Sequence, residues 1–490
     1  LDGVDRAAAG DMDGAFDLRT CAVGGLSRVG KSRQRLYHSR VSRCRGLGRR
    51  AVSICGRPLG FGAGLFHLGL CAERLGDRRI VDLTESEQLG ISGYFDVSAT
   101  DLAAHNQVLA EYNARGRTEI RSVQWFVPYF AHAYLGGIYT ILRFADHFAR
   151  EHGVENRFCI YDVGPERVGE VRERTIEAFP GLAAAEFSGQ QANKDAEPLE
   201  HLAPCDASIG SLWTSIYPQA AFNRTRAKFY FLQDFEPEFY AAGSARALSE
   251  ETYRLGIPGI VNTPGLADVY REYGNGAVSF VPAVDSELFH PRDRSGEPAD
   301  RPVRIVFYGR PSTPRNAFGL GLAALREVKQ RHGDRVEILA VGEEWDPAQF
   351  GLVGVVENIG RLPDLEAVAQ FYRGCDIGLV LMLTKHPSYQ PFEYMASGVV
   401  TVSNDNPHTR WLLRNNENSL TAPPLASALA SQISALVEDP ALRSRLTEQA
   451  LGEAKGRSWP REIDAADDNS LRSMPRIRNS RSGDSTWPSG

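Results

Sequence analysis

The chain has 490 residues, enough for two or three domains, and its formal net charge at pH 7 is −6. Apolar residues make up 42% and charged residues 24%, the proportions of an ordinary soluble globular protein. The negative charge argues against a general nucleic-acid-binding protein, whose affinity would depend on a cationic surface. The seven cysteines occur singly, without CxxC pairs or metal-finger spacing, which predicts reduced thiols in a cytosolic protein.

Membrane-spanning and secretory segments are not expected. A bilayer crossing needs ~20 consecutive apolar residues, and the nearest run, Pro58 to Ala72, is broken by four glycines and a histidine. The first residues also lack a charged segment followed by an apolar core. The expected location is the cytoplasm, with peripheral association at the inner face of the membrane as an alternative.

Residues 1–120 differ in composition from the rest. Ten basic residues lie between Arg19 and Arg50, and no acidic residue occurs from Leu18 to Ala72. This pattern predicts a poorly structured basic region, with an arm that binds a membrane surface or nucleic acid as the alternative. Gly25 to Ser32 fits the phosphate-binding string GxxxxGK[ST]. The preceding residues make a poor buried strand, so a P-loop NTPase is only an alternative hypothesis.

Strands and helices alternate from Ser122 onward, which is typical of parallel α/β units. We predict a first Rossmann-like domain over residues 121–290, an interdomain linker from Pro282 to Arg301, a second Rossmann-like domain over 302–460 and a disordered tail over 461–490. The fold class is therefore α/β, with two domains facing a central cleft. The predicted strands are 123–127, 157–161, 207–211, 228–232, 259–262, 277–281, 304–308, 336–341, 353–357, 377–382, 399–403 and 419–421.

Two predicted strand ends of the second domain carry a glycine followed by an arginine. Gly309-Arg310 ends one strand, and Gly360-Arg361 follows a later one. Arginine offers a planar, permanently charged set of donors that suits a diphosphate. Arg315, just before a helix, is either a further basic residue for the diphosphate or a surface arginine.

The loop and short helix from His386 to Gly398 contain the acidic member of this group. Glu393 would repel phosphates, so its expected partner is a neutral diol such as the ribose hydroxyls; the alternative is a favourable interaction with the helix N-terminus. Tyr389 lies one turn earlier and is expected to stack or hydrogen bond near the ligand. His386 and Ser388 could touch the phosphates or cap the loop. Arginines for a diphosphate and a glutamate for ribose together predict a sugar-nucleotide site.

The first domain supplies candidates for the other side of the cleft. Gly136-Gly137 opens a helix, so its backbone N–H groups could face the diphosphate or the sugar. Asp234 and Glu236 follow a predicted strand and could orient or deprotonate an acceptor hydroxyl. Pairing with nearby arginines, or capping of the helix near Pro237, is an equal alternative for both acids.

These residues resemble a known family. Gly309-Arg310, Gly360-Arg361 and the run from Pro391 to Gly398 are similar to the donor-binding half of GT-B glycosyltransferases, family four in particular. The stretch from Phe231 to Tyr240 and the loop beginning at His386 resemble the WsaF-type rhamnosyltransferases. One departure is Lys385, which stands where the family-four pattern has its first glutamate. The resemblance covers roughly residues 122–459.

The resemblance implies a metal-independent glycosyltransferase without a cofactor. Its expected donor is a dTDP-activated deoxysugar such as rhamnose, transferred with retention to a growing polysaccharide or lipid-linked glycan. Arg310, Arg361 and Glu393 are the expected catalytic residues. Lys385 keeps a second hypothesis open, in which the chain is a non-catalytic sugar-nucleotide or glycan-binding module of a synthesis complex.

Overall fold

The computed structural model describes residues 95–115, 119–134, 136–190, 199–298 and 300–470. For residues 467–470 only the backbone is described. The string from Gly25 to Ser32 and the basic segment up to Arg50 lie outside these residues, so the predictions made for them stay predictions. Within the described part, no helix is both long and apolar enough to cross a membrane. Its three cysteines, Cys159, Cys205 and Cys375, are buried free thiols.

One helix lies inside the segment that composition predicted to be poorly structured. Helix α1 (Ala99–Arg115) packs on the first sheet, with His105, Leu109 and Tyr112 buried. The Tyr112 ring meets Phe229 edge-on at 5.6 Å between centroids. Because two of its three buried residues are His and Tyr, α1 has a weak apolar periodicity, and the sequence prediction for residues 99–115 was wrong.

The first domain alternates strands and helices. In chain order its elements are β1 (Ser122–Val127), α2 (Gly136–His152), β2 (Glu155–Ile160), α3 (Val168–Ala178), β3 (Glu186–Gly189), β4 (Cys205–Gly210), α4 (Trp213–Ala221), β5 (Thr225–Leu232), α5 (Ser244–Glu251), β6 (Gly259–Asn262), α6 (Pro264–Glu272) and β7 (Ala277–Phe280). The strands form one parallel sheet in the order β3-β2-β1-β4-β5-β6-β7. The short edge strand β3 was not predicted.

The second domain repeats this plan. Its elements are β8 (Val303–Gly309), α7 (Phe318–His332), β9 (Val336–Gly342), β10 (Glu357–Gly360), α8 (Leu365–Arg373), β11 (Ile377–Leu379), α9 (Gln390–Ser397), β12 (Val400–Asn404), β13 (Ser419–Ala422), α10 (Ala426–Glu438) and α11 (Pro440–Ala454). The parallel order is β10-β9-β8-β11-β12-β13. The strand predicted at 353–357 was wrong, since β10 begins only at Glu357.

In both sheets the order of the strands reverses near the centre, between β1 and β4 in the first and between β8 and β11 in the second. Ligands of doubly wound sheets bind beyond the carboxyl ends of the strands at such a switch point. The α/β class and the two Rossmann-like sheets are as predicted. The strand ends therefore indicate where a site should be sought.

The chain ends with a helix that returns to the first domain. Helix α12 (Trp459–Ser470) packs against β7 and α2, and its residues Trp459, Ile463 and Ala466 join the first domain's core. We expected disorder after Trp459, and for residues 461–470 that expectation was wrong. The residues are rich in charge, but the few apolar ones lie on the face that meets the core.

Candidate functional site

A cavity of about 580 Å³ lies between the two domains, beyond the carboxyl ends of both sheets. Loops after β1, β4 and β5 line it from one side, and loops after β8, β9 and β11 from the other. Eleven of the residues singled out from the sequence line this single cavity: Gly136, Gly137, Asp234, Glu236, Arg310, Arg315, Arg361, His386, Ser388, Tyr389 and Glu393. Gly309 and Gly360 do not line it.

The two arginines differ in how they are held. The Arg310 Nε donates to Glu343 Oε1 at 3.1 Å, so a carboxylate partly balances its charge. Arg361 is exposed to the cavity and forms no ion pair or side-chain hydrogen bond with any described residue. Of these two arginines, Arg361 therefore has more to gain from an anionic ligand.

The two glycines shape the strand ends beneath these arginines. Gly360 has φ +78°, and a Cβ there would lie 2.8 Å from Glu344 Cγ. A left-handed residue at this point favours glycine and turns the chain so that Arg361 reaches the cavity. A Cβ at Gly309 would meet the Phe307 ring at 3.3 Å. Both glycines thus act on the backbone and do not contact a ligand in the cavity.

Glu393 stands in the first turn of α9, which has Pro391 near its start and ends at Gly398 with φ +77°. Burial raises the pKa of Glu393 to about 7. Its carboxyl group makes no ion pair or side-chain hydrogen bond with the described residues. A half-buried carboxyl group without a cation suits neutral hydroxyl donors and does not suit a phosphate.

Three polar groups beside the start of α9 are buried without a partner among the described residues. They are His386 Nε2, Ser388 Oγ and Gln390 Oε1, and all three residues line the cavity. Burial lowers the pKa of His386 to about 3, so its imidazole is neutral. A buried polar group without a partner costs ~1–3 kcal/mol, which a polar ligand in the cavity would recover.

Tyr389 connects the two domains. Its hydroxyl shares a hydrogen bond of 2.6 Å with Thr140 Oγ1 and accepts one of 3.3 Å from Asn262 Nδ2. Its ring lies near Gly136 and stacks at 6.5 Å on Trp459. The hydroxyl is thus occupied across the cleft, and the ring remains as the part that a ligand can contact.

The two acids of the first domain are held differently. Asp234 Oδ2 lies 3.6 Å from Arg315 Nε, and burial raises the Asp234 pKa to about 6. Glu236 Oε2 accepts from the Trp213 backbone N–H at 2.6 Å and from the Tyr230 hydroxyl at 2.9 Å. Burial raises the Glu236 pKa to about 8. At pH 7 Asp234 is mainly charged and Glu236 mainly neutral.

Sequence reasoning missed Arg143 and Gln233, which also line the cavity. The Arg143 guanidinium lies 4.8 Å from the Tyr139 ring centroid and 5.2 Å from that of Trp459. Gln233 Nε2 donates to the Gly137 carbonyl at 3.0 Å. Neither the buried Arg143 Nε nor the buried Gln233 Oε1 has a hydrogen-bond partner in the part of the chain that the structure describes. Arg143 could not be singled out because Trp459 comes from the far end of the chain.

The comparisons with known proteins agree with this geometry. Residues 303–434 match the family model described as "WsaF, C-terminal domain". The chain is 45% identical over 357 residues to the O-antigen biosynthesis protein RfbC of Myxococcus xanthus. The match covers 73% of this chain, which spans only about 27% of that relative's length. The resemblance to WsaF-type proteins is thereby confirmed.

Solved structures show the same fold. HepE of Anabaena, crystallised in complex with UDP-glucose, superposes with a TM-score of 0.54 at 15% identity, over 71% of this chain and 98% of HepE. Sucrose-phosphate synthase of Thermosynechococcus elongatus gives a TM-score of 0.52 at 15% identity, over 70% and 96% of the two chains. The fold is GT-B, as predicted from the sequence.

Proposed function

We propose that the chain is a glycosyltransferase of O-antigen biosynthesis, which transfers a sugar from a nucleoside diphosphate to a glycan or lipid-linked acceptor. The relative is named for O-antigen biosynthesis, and HepE was crystallised with a nucleotide sugar. The observation that carries the proposal is the convergence of Arg310, Arg361 and Glu393 on one cavity between two Rossmann-like domains.

In this proposal the second domain holds the donor. Arg361 and Arg310 bind the diphosphate, and Glu393 accepts a hydrogen bond from the sugar hydroxyls of the nucleoside. His386 and Ser388 supply further polar contacts near the start of α9, where the helix N-terminus favours an anion. The arginines stabilise the negative charge that grows on the departing diphosphate, which is the role a divalent cation has in other enzymes.

The first domain would receive the acceptor. In the transfer step a bond forms between the acceptor oxygen and the anomeric carbon, while the bond from that carbon to the diphosphate oxygen breaks. The acceptor proton passes to Asp234 or to the departing phosphate. Asp234 suits this role better than Glu236, because a pKa of about 6 leaves it charged at neutral pH. Retention at the anomeric carbon belongs to the same proposal.

The identity of the donor is proposed from the family resemblance, and Glu393 offers a way to test it. We propose a dTDP-activated deoxysugar such as rhamnose, in agreement with the resemblance to WsaF-type proteins. A dTDP donor offers only its 3′-hydroxyl to Glu393, whereas UDP offers two hydroxyls. Binding of dTDP and UDP by the wild type and by Glu393→Gln therefore tests both the residue and the nucleotide.

Lys385 gives no support to a purely binding role. Its Nζ lies 4.3 Å from the centroid of the Phe235 ring, and Lys385 is not among the residues that line the cavity. The substitution at the family's first glutamate thus removes an acid without placing a cation at the donor. We therefore propose catalysis and regard the non-catalytic module as the outcome that a negative transfer assay would favour.

The test is donor turnover in the presence of EDTA. Wild type, Arg361→Ala and Glu393→Gln are incubated with a panel of nucleotide sugars and acceptor glycan, and released nucleoside diphosphate is measured. Matched controls are Arg326→Ala, an exposed residue whose guanidinium donates to the Phe350 carbonyl, and Glu448→Gln, an exposed residue of α11. Loss of the arginine should lower kcat by ~10²–10³, as does loss of one oxyanion donor in other enzymes.

Three results would contradict the proposal. Unchanged transfer by Arg361→Ala and Glu393→Gln would remove both residues from the site. Selective donor binding without turnover, with every acceptor offered, would replace the enzyme by a binding module. Transfer that stops in EDTA and returns with Mg²⁺ would contradict the metal-independent mechanism.

A further inference from the structure

A second group of polar side chains lies away from the cavity, where α12 docks on α2. His147 Nε2 is 2.7 Å from Asp464 Oδ1, and His152 Nε2 is 3.4 Å from the same oxygen. The three ligand atoms all lie within 4.8 Å of one another. Among the side chains that the structure describes, this is the single group of three or more His, Cys, Asp or Glu with that spacing.

The chemistry of these donors selects a class of metal ion. Two imidazole nitrogens and one carboxylate oxygen suit zinc and its neighbours in the transition series, while Mg²⁺ and Ca²⁺ prefer sites made of oxygen alone. Zinc binds nitrogen at ~2.0–2.1 Å and carboxylate oxygen at ~2.0–2.2 Å in tetrahedral geometry. Both histidines already lie at hydrogen-bonding distance from Asp464 Oδ1, so zinc binding requires mainly that the two imidazole nitrogens turn toward a common point.

We propose that His147, His152 and Asp464 bind one zinc ion, with water in the fourth position. The side chains of His147, His152 and Asp464 are 7%, 24% and 51% exposed, so the site has one buried ligand and is reachable from solvent. Without metal, one carboxylate serves two imidazoles by hydrogen bonding. With metal, the same three groups become its ligands.

The position of the site indicates a structural role. Asp464 belongs to α12, which follows the second domain in sequence but packs on the first, and both histidines belong to α2. A zinc ion would therefore stabilise the packing of α12 on the first domain. Trp459, at the start of α12, lines the cavity and stacks on Tyr389, so the metal would fix one wall of the cavity from outside. None of the three ligands lines the cavity.

The experiment compares zinc binding by the full chain with that of three variants. Metal-stripped wild type, His147→Gln, His152→Gln and Asp464→Asn are titrated with ZnCl₂ by calorimetry, and Tm is measured with and without zinc. His201→Gln, which changes an exposed histidine of the same domain, is the matched control. Because the chain contains further Cys and His residues, the informative quantity is the difference in stoichiometry from the wild type.

The expected result is one zinc equivalent fewer in each ligand variant and no change in the control. Zinc should raise the Tm of the wild type by about 3 °C or more, and this rise should disappear in the variants. His152→Gln changes the more exposed of the two histidines and keeps the test valid if His147→Gln fails to fold. Equal stoichiometry in wild type and variants, or an equal Tm rise, would overturn the site. The outcome is independent of glycosyl transfer, since the assay measures metal and stability alone.

Discussion

Replacing Glu236 by Gln should make the protein increasingly more stable than the wild type as the pH rises. Glu236 is 2% exposed, and burial raises its pKa from the ordinary 4.5 to about 8. Between these values the unfolded chain has lost the proton and the folded protein still holds it. The folded state then binds more protons than the unfolded state, so the free energy of unfolding falls as pH rises and the loss is complete above about pH 8.

The magnitude follows from the same shift. At ~1.4 kcal/mol for each pKa unit, the difference between 4.5 and about 8 corresponds to ~5 kcal/mol of stability lost by the wild type across this range. Gln has no charge to lose, and its carbonyl oxygen can accept from the Trp213 N–H and the Tyr230 hydroxyl as Oε2 does. The free energy of unfolding of Glu236→Gln should therefore not fall over this pH range.

Urea unfolding at pH 5, 7 and 9 measures the effect. The free energy of unfolding of Glu236→Gln, relative to wild type, should rise by several kcal/mol from pH 5 to pH 9. Glu151→Gln, at an exposed position of α2, is the control and should show no such trend. A difference between Glu236→Gln and wild type that stays constant with pH would refute the reasoning, because it would show that Glu236 ionises without penalty.

Three further outcomes are expected. The rate of transfer should fall below about pH 6, where Asp234 gains a proton. Asp234→Asn should lower the transfer rate by ~10²–10⁴ and remove that pH dependence. A wild-type rate that does not change with pH would contradict the role of Asp234 as the base. Tyr389→Phe removes the hydroxyl that binds Asn262 and should lower the free energy of unfolding, measured in urea, by ~1–3 kcal/mol. Equal stability of the variant and the wild type would contradict this. Gly360→Ala should lower the free energy of unfolding by ~1–2 kcal/mol and weaken donor binding by moving Arg361. Unchanged donor affinity would show that the turn at Gly360 does not set the position of Arg361.

The sequence predicted most of the elements that build the cavity, because buried parallel strands have continuous apolar runs. Gly259–Asn262 was predicted with the bounds it has, and β8 and β9 to within a residue or two. β10 was misplaced because it contributes few buried side chains, and the short edge strand β3 was missed for the same reason. The local sequence pattern predicts a strand poorly when that strand lies at the edge of the sheet and pairs with a single neighbouring strand.

The candidate site was predicted in its composition but not in its internal contacts. Glycine-arginine pairs at strand ends mark Arg310 and Arg361, since neighbouring strands of a parallel sheet end at the same edge. No local pattern shows that Glu343 pairs with Arg310, or that Tyr389 reaches Thr140. These contacts join distant segments, and they depend on how the two domains close.

The central claim is that Arg361 and its neighbours recognise a diphosphate, and calorimetry with nucleotides tests it most directly. Wild type, Arg361→Ala and the control Arg326→Ala are titrated with a nucleoside diphosphate and the corresponding monophosphate. The wild type and the control should prefer the diphosphate, and Arg361→Ala should lose ~1.5–3 kcal/mol of diphosphate affinity, about ten- to a hundredfold, with little change for the monophosphate. Equal diphosphate affinity in wild type and Arg361→Ala would contradict the account.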